Sequence, residues 1–367
     1  MTATAPRSVA VVLGTRPEII KLAGVIRLLG DRGYVIHSEQ HYDASLSASF
    51  FVSFGLPEPK VWLTGVGGSS RSNQFAAIIL QLGRLFEHDP PAAVVVQGDT
   101  NTAAAAAQAA YFAGIPVVHV EAGLRSFDRS MPEEINRRII GVIADLHCAP
   151  TEVSAQHLRV EGVPEHAIKV TGNTAVEATR ESAPGPVQSA ALVRTMGLKP
   201  DGYVLATIHR PENTDDQAKL ATILDALACL SMPVVLPLHP RTLGCAERFG
   251  LRPLLDRLRI SGPIDHPSLL GLASHARLLV SDSGGIQEEC TVLQRPLVVI
   301  RNSTERPEAM TAGFAVLMAA DGHLATRLAA AVADDRWPAD LVGRPSPFGD
   351  GHASERIVAA TLELIGR

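Results

Sequence analysis

Cysteine is scarce in this chain of 367 residues: Cys148, Cys229, Cys245 and Cys290 stand far apart, with no CxxC pair and no Cys/His ligand spacing. That excludes a disulfide framework and a thiolate zinc site, so no metal is expected, and it fits a reducing, cytoplasmic setting. Charge of one sign is lacking too. A formal net charge of −5 gives no broad cationic face for nucleic acid or a membrane surface, but it leaves room for a local cationic pocket around a small anion. The expected partner is a small molecule. No apolar run approaches the length of a membrane span, and Met1 to Arg7, polar and Ala-rich without an apolar core, is expected to be frayed chain. GxGxxG follows the first strand of neither half, so a nicotinamide or flavin cofactor has no support. Heptads, solenoid repeats and low-complexity tracts are absent as well.

What the chain does have is alternation. Its 46% hydrophobic content over this length is ample for two cores. Ser8 to Leu13 is a β-rich run that stops at Gly14, and Pro17 then opens an amphipathic stretch from Glu18 to Leu29. Strand-like runs recur at Val94 to Val96, Pro116 to Val120, Leu146 to Ala149 and Ile168 to Thr171, with helical spans such as Thr102 to Ala113 between them. A parallel sheet covered on both faces reads this way. Ser182 to Ser189, rich in Pro, Gly, Ala and Ser, predicts a linker. A second series includes Tyr203 to Thr207, Val234 to Leu238, Leu278 to Ser281 and Leu297 to Ile300, with helices predicted at Gln217 to Leu230 and Ile286 to Leu293. The expected architecture is α/β, with two doubly wound domains, residues 1–182 and 190–345, and a cleft between them.

Three charged runs stand just after strand-like stretches: Gln97-Gly98-Asp99-Thr100, His119-Val120-Glu121-Ala122-Gly123 and Met131-Pro132-Glu133-Glu134-Ile135-Asn136-Arg137-Arg138. Ligands bind at the strand ends of open parallel sheets, so carboxylates gathered there predict proton chemistry. Plainer readings exist for each. Asp99 could cap the next helix, Glu133 and Arg137 could be an i,i+4 surface pair, and Glu121 could pair with Arg125. In the second half, Ser281 to Glu289 runs from a strand into a helix, where Ser283, Gly284 and Gly285 let backbone N–H groups approach a phosphate. The plainer reading there is a capped βα turn. Glu289, about a turn further in, is expected to face a ribose hydroxyl pair.

Eight motifs occur in an order that resembles the non-hydrolysing UDP-N-acetylglucosamine 2-epimerases. They are Gly14 to Glu18 (GTRPE), Gly98 to Thr100, His119 to Arg125, Pro132 to Arg137, Thr171 to Thr174, His209 to Asn213, Ser281 to Glu289 and Thr304 to Glu308. The resemblance runs from about Val9 to the end of the chain. It implies a GT-B-like fold of two Rossmann-like domains with the active site in the interdomain cleft, no cofactor, no essential metal, and a homodimer. It also implies that a last helix, at residues 350–367, crosses back to complete the first domain. The implied reaction interconverts UDP-N-acetylglucosamine and UDP-N-acetylmannosamine by losing UDP to give 2-acetamidoglucal and adding it back. Asp99, Glu121 and Glu133 match the family's catalytic carboxylates, and crowding of three acids is expected to raise at least one pKa. Arg137, four residues after Glu133, is expected to hold that carboxylate or the substrate, and His209 to stabilise the leaving diphosphate. Arg16, Arg210, His239 and Arg306 join the turn residues as expected UDP-sugar ligands, and Arg241 adds a further cation.

Two segments depart from the family pattern. Gln40-His41-Tyr42-Asp43 replaces a Gln-His-Arg run that belongs to an allosteric substrate site in many members. Gln40, His41 and Arg71 are the expected remnant of that site, and activation by a second UDP-N-acetylglucosamine is expected to be weak or absent. His266 and Leu269 stand where aromatic residues flank the uracil in other members. The sugar itself is left open, since modified UDP-aminosugars and hydrolysing relatives share these motifs. A GT-B glycosyltransferase would share the sheets and the turn without needing three carboxylates on strand ends. A binding protein without catalysis would be expected to have lost one of Asp99, Glu121, Glu133 or His209, and all four are present.

Overall fold

Short apolar runs that are hidden on both faces can satisfy their backbone only in a parallel sheet covered by helices, and this chain builds two such sheets. A computed structural model describes residues 8–40 and 51–366. The chain divides into one unit of residues 1–178 with 348–367 and a second of residues 179–347.

The first unit holds a seven-stranded sheet in the order β3-β2-β1-β4-β5-β6-β7. These strands are β1 (Val9–Leu13), β2 (Gly33–His37), β3 (Val61–Trp62), β4 (Val94–Gln97), β5 (Val117–Val120), β6 (Leu146–Ala149) and β7 (Ile168–Val170). The chain switches direction across β1, with β2 on one side and β4 on the other. Ligands bind beside such a switch, at the carboxyl ends of the strands. The helix Asn101–Phe112 carries Ala103 to Ala107, all fully buried, and small side chains let it sit close to the sheet while touching helices Arg71–His88 and Pro132–Ile143. The last helix, Ala353–Ile365, packs Ile357 and Val358 into the same core as the helix Arg16–Leu29. Full burial of such side chains stabilises by roughly 1.5–3 kcal/mol each.

The second unit holds a six-stranded sheet in the order β10-β9-β8-β11-β12-β13. Its strands are β8 (Val204–Thr207), β9 (Val234–Pro237), β10 (Arg259–Ser261), β11 (Leu278–Ser281), β12 (Leu297–Ile300) and β13 (Ala315–Met318). Its switch lies between β8 and β11, which pair in register from Leu278 with Val204 to Ser281 with Thr207. The predicted linker is mostly helix. Pro186 starts a helix that runs to Thr195, since a proline in the first turn loses no hydrogen bond and has its φ already set. The division between units falls at Ala178/Thr179, within the helix Thr174–Ser182.

Two buried histidines sit side by side in the first sheet, His119 on β5 opposite His147 on β6. Burial pushes His119 down to about 3 and His147 down to about 4, with the charge of Arg125 adding to both. The unfolded chain takes up protons near pH 6.5, where the folded one still refuses them. Their stabilising contribution is thus complete above pH 6.5 and lost as pH falls from there toward 4 and 3. Urea midpoints between pH 7.5 and 4.5 are expected to fall for the native chain and to fall less for His147→Gln; equal slopes would show that this pair does not set the acid limit.

Candidate functional site

At the carboxyl edge of the first sheet, β4 and β5 pair from Val94 with Val117 to Gln97 with Val120, so Asp99 and Glu121 leave adjacent strands. Glu121 is 5% exposed and has a positive φ of 65°, a conformation that costs about 1–3 kcal/mol for a residue with a side chain and turns its carboxylate back over the strand ends. Gly123, two residues on, has no such choice. A Cβ there would lie 2.2 Å from the Ser154 carbonyl oxygen.

Each carboxylate has its own cation, half-buried at Glu121 and buried at Asp99. Lys21 Nζ lies 2.8 Å from Glu121 Oε2, and Gln97 Nε2 donates to the same oxygen. The alternative partner, Arg125, is engaged by Glu161 instead. Asp99 is paired with Arg137, which is 2% exposed. Asp99 does not cap the next helix: Thr100 does, its hydroxyl accepting from the Ala103 amide at 3.0 Å. The Arg137 expectation also needs correcting. Of the two expected partners, Glu133 or the substrate, the structure corrects the first: Arg137 holds Glu134, with Nη2 2.9 Å from its Oε2, and Glu134 is fully buried whereas Glu133 is half-buried. Burial pushes Glu134 up, but the Ser126 amide and Arg137 outweigh it and hold the carboxyl below its usual range. Glu133 is half-buried in the first turn of the helix, and among the described residues its carboxylate has no hydrogen bond or ion pair. Asn136 ties this helix to the site by donating to the Asp99 carbonyl at 2.9 Å.

Burial raises one carboxyl near these strand ends, that of Glu18, which is not among the three expected acids. There it lifts the pKa to about 7 against hydrogen bonds from Thr15, Thr100 and Gly14. Arg16 stands exposed at the start of the same helix. Lys21, Glu18 and Gln97 were not singled out from sequence. The available signal was Glu18 on the apolar stripe of Leu22, Val25 and Leu29, where a carboxylate is out of place. Of the remnant segment, Gln40 spends its amide oxygen on the Thr102 amide at 2.9 Å, at the start of a helix. Arg71 opens the helix Arg71–His88, and His41, Tyr42 and Asp43 lie outside the described residues.

In the second unit the organiser is Asp282, at the end of β11 and fully buried. Its carboxylate accepts from the backbone amides of His209 and Arg210 and from Asn213, fixing the loop after β8. His209 Nδ1 lies 3.5 Å from Asp282 Oδ1, and its ring faces that of His239 at 5.5 Å. Burial, then the His209 and Arg241 charges, hold His239 below the usual imidazole value. Arg241 pairs with Asp215. Arg210 is 3.8 Å from Glu305, and burial pulls its pKa down.

Ser283 precedes the helix Gly284–Leu293, so Gly284 and Gly285 supply its first free amides. A Cβ on Gly284 would come within 2.8 Å of Arg306 Nη1. That guanidinium cannot give way, being clamped by Glu288 at 2.6 Å and by Glu305. Glu289 Oε1 is held by His266 Nε2 at 2.9 Å, while its buried Oε2 has no partner among the described residues. His266, expected beside the base, thus orients Glu289, whose hydrogen bond raises the imidazole against the pull of burial.

A sequence model described as UDP-N-acetylglucosamine 2-epimerase matches residues 32–362. The chain belongs to the UDP-N-acetylglucosamine 2-epimerase family. It is similar to the UDP-N-acetylglucosamine 2-epimerase of Methanocaldococcus jannaschii, 35% identical over 364 residues that cover 95% of this chain and 97% of that one. It is about equally similar to the UDP-2,3-diacetamido-2,3-dideoxy-D-glucuronate 2-epimerase of Pseudomonas aeruginosa, 34% identical over 96% of this chain and 99% of the other. The solved M. jannaschii UDP-GlcNAc 2-epimerase, in complex with UDP-GlcNAc and UDP, superposes with a TM-score of 0.86 over 97% of this chain and 99% of that one. The two doubly wound units are thus the GT-B-like fold of these epimerases. Among the described residues no helix is long and apolar enough to cross a membrane.

Proposed function

We propose that this member of the epimerase family inverts carbon 2 of UDP-N-acetylglucosamine to give UDP-N-acetylmannosamine. The observation that carries this reading is the placement of Asp99 and Glu121 on adjacent strand ends, each paired with its own cation. Carbon 2 of an N-acetylhexosamine is weakly acidic, so inversion without redox needs its proton removed as UDP leaves carbon 1. The intermediate is 2-acetamidoglucal, and UDP adds back as a proton returns to the other face. Two carboxylates serve that exchange, as base and acid in turn. Arg137 and Lys21 hold them in place, Glu133 is the third candidate acid, and His209 steadies the departing diphosphate. The second unit grips the nucleotide: Ser283, Gly284 and Gly285 take phosphate, Arg210 and Arg306 supply positive charge, His239 supplies a ring donor, and the Glu289 oxygen without a partner among the described residues takes ribose hydroxyls, while Arg16 of the first unit is a further cation for the UDP-sugar.

Proton NMR of UDP-GlcNAc with the protein in deuterated water tests the reading. The expected product is UDP-ManNAc carrying deuterium at carbon 2. Free sugar plus UDP would make the protein a hydrolase, and an unchanged, undeuterated sugar would leave a transferase. The P. aeruginosa relative supports a second reading in which the sugar carries further substituents, so UDP-2,3-diacetamido-2,3-dideoxy-glucuronate belongs in the same assay.

Glu289→Ala is expected to weaken UDP about tenfold while leaving pyrophosphate within about twofold, the scale of losing one charged hydrogen-bond acceptor. Calorimetry with both ligands decides it, and equal losses would place this carboxylate away from the ribose. A homodimer completes the proposal. The neighbouring helices Arg71–His88, Asn101–Phe112 and Pro132–Ile143 leave Leu80, Tyr111, Phe112 and Val142 exposed, apolar surface of the kind that a second copy covers. The four cysteines are free thiols, which supports a cytoplasmic location.

A further inference from the structure

Glu18 is a buried carboxylate that the proposed chemistry leaves without a task. It is 1% exposed on a helix whose other inward residues are apolar. Burying a carboxylate costs several kcal/mol, and a leucine would extend the stripe without that cost, so the residue is better explained by what it holds than by stability.

Its two oxygens join two strand ends. Oε2 accepts from the Gly14 amide at 3.1 Å and the Thr15 hydroxyl at 2.8 Å, both in the loop that leaves β1 and carries Arg16. Oε1 accepts from the Thr100 hydroxyl at 2.8 Å, in the loop that leaves β4 and carries Asp99. The Thr100 hydroxyl donates to Glu18 and accepts from the Ala103 amide at 3.0 Å, and these two bonds orient the Thr100 side chain. On the far side, Asn136 holds the Asp99 carbonyl at 2.9 Å. The β1 loop has equally little freedom, because a Cβ on Gly14 would meet Ser38 Oγ at 2.0 Å and Thr102 Oγ1 at 2.5 Å.

We infer that Glu18 is a positioning residue for Asp99, acting through the Thr100 hydroxyl, and that it fixes the spacing between that carboxylate and the Arg16 loop. The inference rests on the proposed role of Asp99 in proton transfer. Such a group should set kcat and leave nucleotide binding alone.

The test measures kcat and KM for UDP-GlcNAc in Glu18→Leu, Thr100→Val, Thr100→Ser and the Glu18→Leu/Thr100→Val double variant, each well below its melting temperature. Glu18→Leu and Thr100→Val are each expected to lower kcat about tenfold to a hundredfold with KM within about threefold, the scale of a small misplacement at a reacting centre. The double variant is expected to be no slower than the worse single one, since both remove the same link. Thr100→Ser, which keeps the hydroxyl, is expected to restore most of kcat. An unchanged kcat in Thr100→Val, a double loss equal to the product of the single losses, or a change in KM alone would overturn the inference. Should Glu18→Leu fail to fold, the contrast between valine and serine at Thr100 still decides. Asp99→Asn is run in parallel: near-native turnover there would sink the catalytic reading itself, which is a separate failure.

Discussion

Asp99→Asn, Glu121→Gln and Glu133→Gln are each expected to fold and to lose turnover by roughly a hundredfold or more, the scale set by removing a positioned acid or base. Their folding costs should differ, which separates catalysis from stability. Glu133 makes no side-chain hydrogen bond or ion pair among the described residues, so Glu133→Gln should leave the melting temperature nearly unchanged. Asp99→Asn leaves Arg137 its second carboxylate, Glu134, and should cost little. Glu121→Gln leaves Lys21, only 12% exposed at its side chain, facing a neutral amide, and is expected to cost about 1–3 kcal/mol. Deuterium uptake at carbon 2 and thermal melting, measured on the same samples, check both parts. A variant with near-native turnover strikes that residue from the catalytic set.

Gly284→Val is expected to abolish UDP binding, a loss of about a hundredfold or more, without unfolding the second unit. The effect comes through Arg306. A branched side chain at Gly284 would press into a guanidinium that Glu288 and Glu305 hold from two sides, and it would also cover the first amides of the helix Gly284–Leu293. Gly285 makes the useful control, because a Cβ there meets nothing closer than 3.7 Å, and Gly285→Ala should weaken UDP much less. Calorimetric titration with UDP settles the comparison. Equal, small losses for both variants would show that the nucleotide does not approach this turn.

The sequence by itself determined the α/β class, most strand positions and the functional motifs, because each depends on local order. Short apolar runs between turn residues, such as Leu278 to Ser281, fit buried strands, Pro17 fits the first turn of a helix where no amide bond is lost, and a Gly-Gly turn before a helix exposes amides. The helix that starts at Pro186 falls inside the predicted linker, because proline and glycine mark loops and helix starts alike. Only the tertiary structure decided the partners. Spacing offers Arg137 either Glu133 or the substrate, yet its guanidinium pairs with Glu134 and Asp99, one on its own helix and one across the sheet edge. Glu121 takes Lys21 from a helix a hundred residues away in the chain. Asp282 fixes His209 across two strands that pair in space but not in sequence. Burial decides Glu18, whose raised pKa follows from a carboxylate enclosed between two strand ends rather than from its neighbours along the chain. Local pattern sets which residues reach the edge of a sheet; which charge then meets which is set by the strand order, and that order is a property of the fold alone.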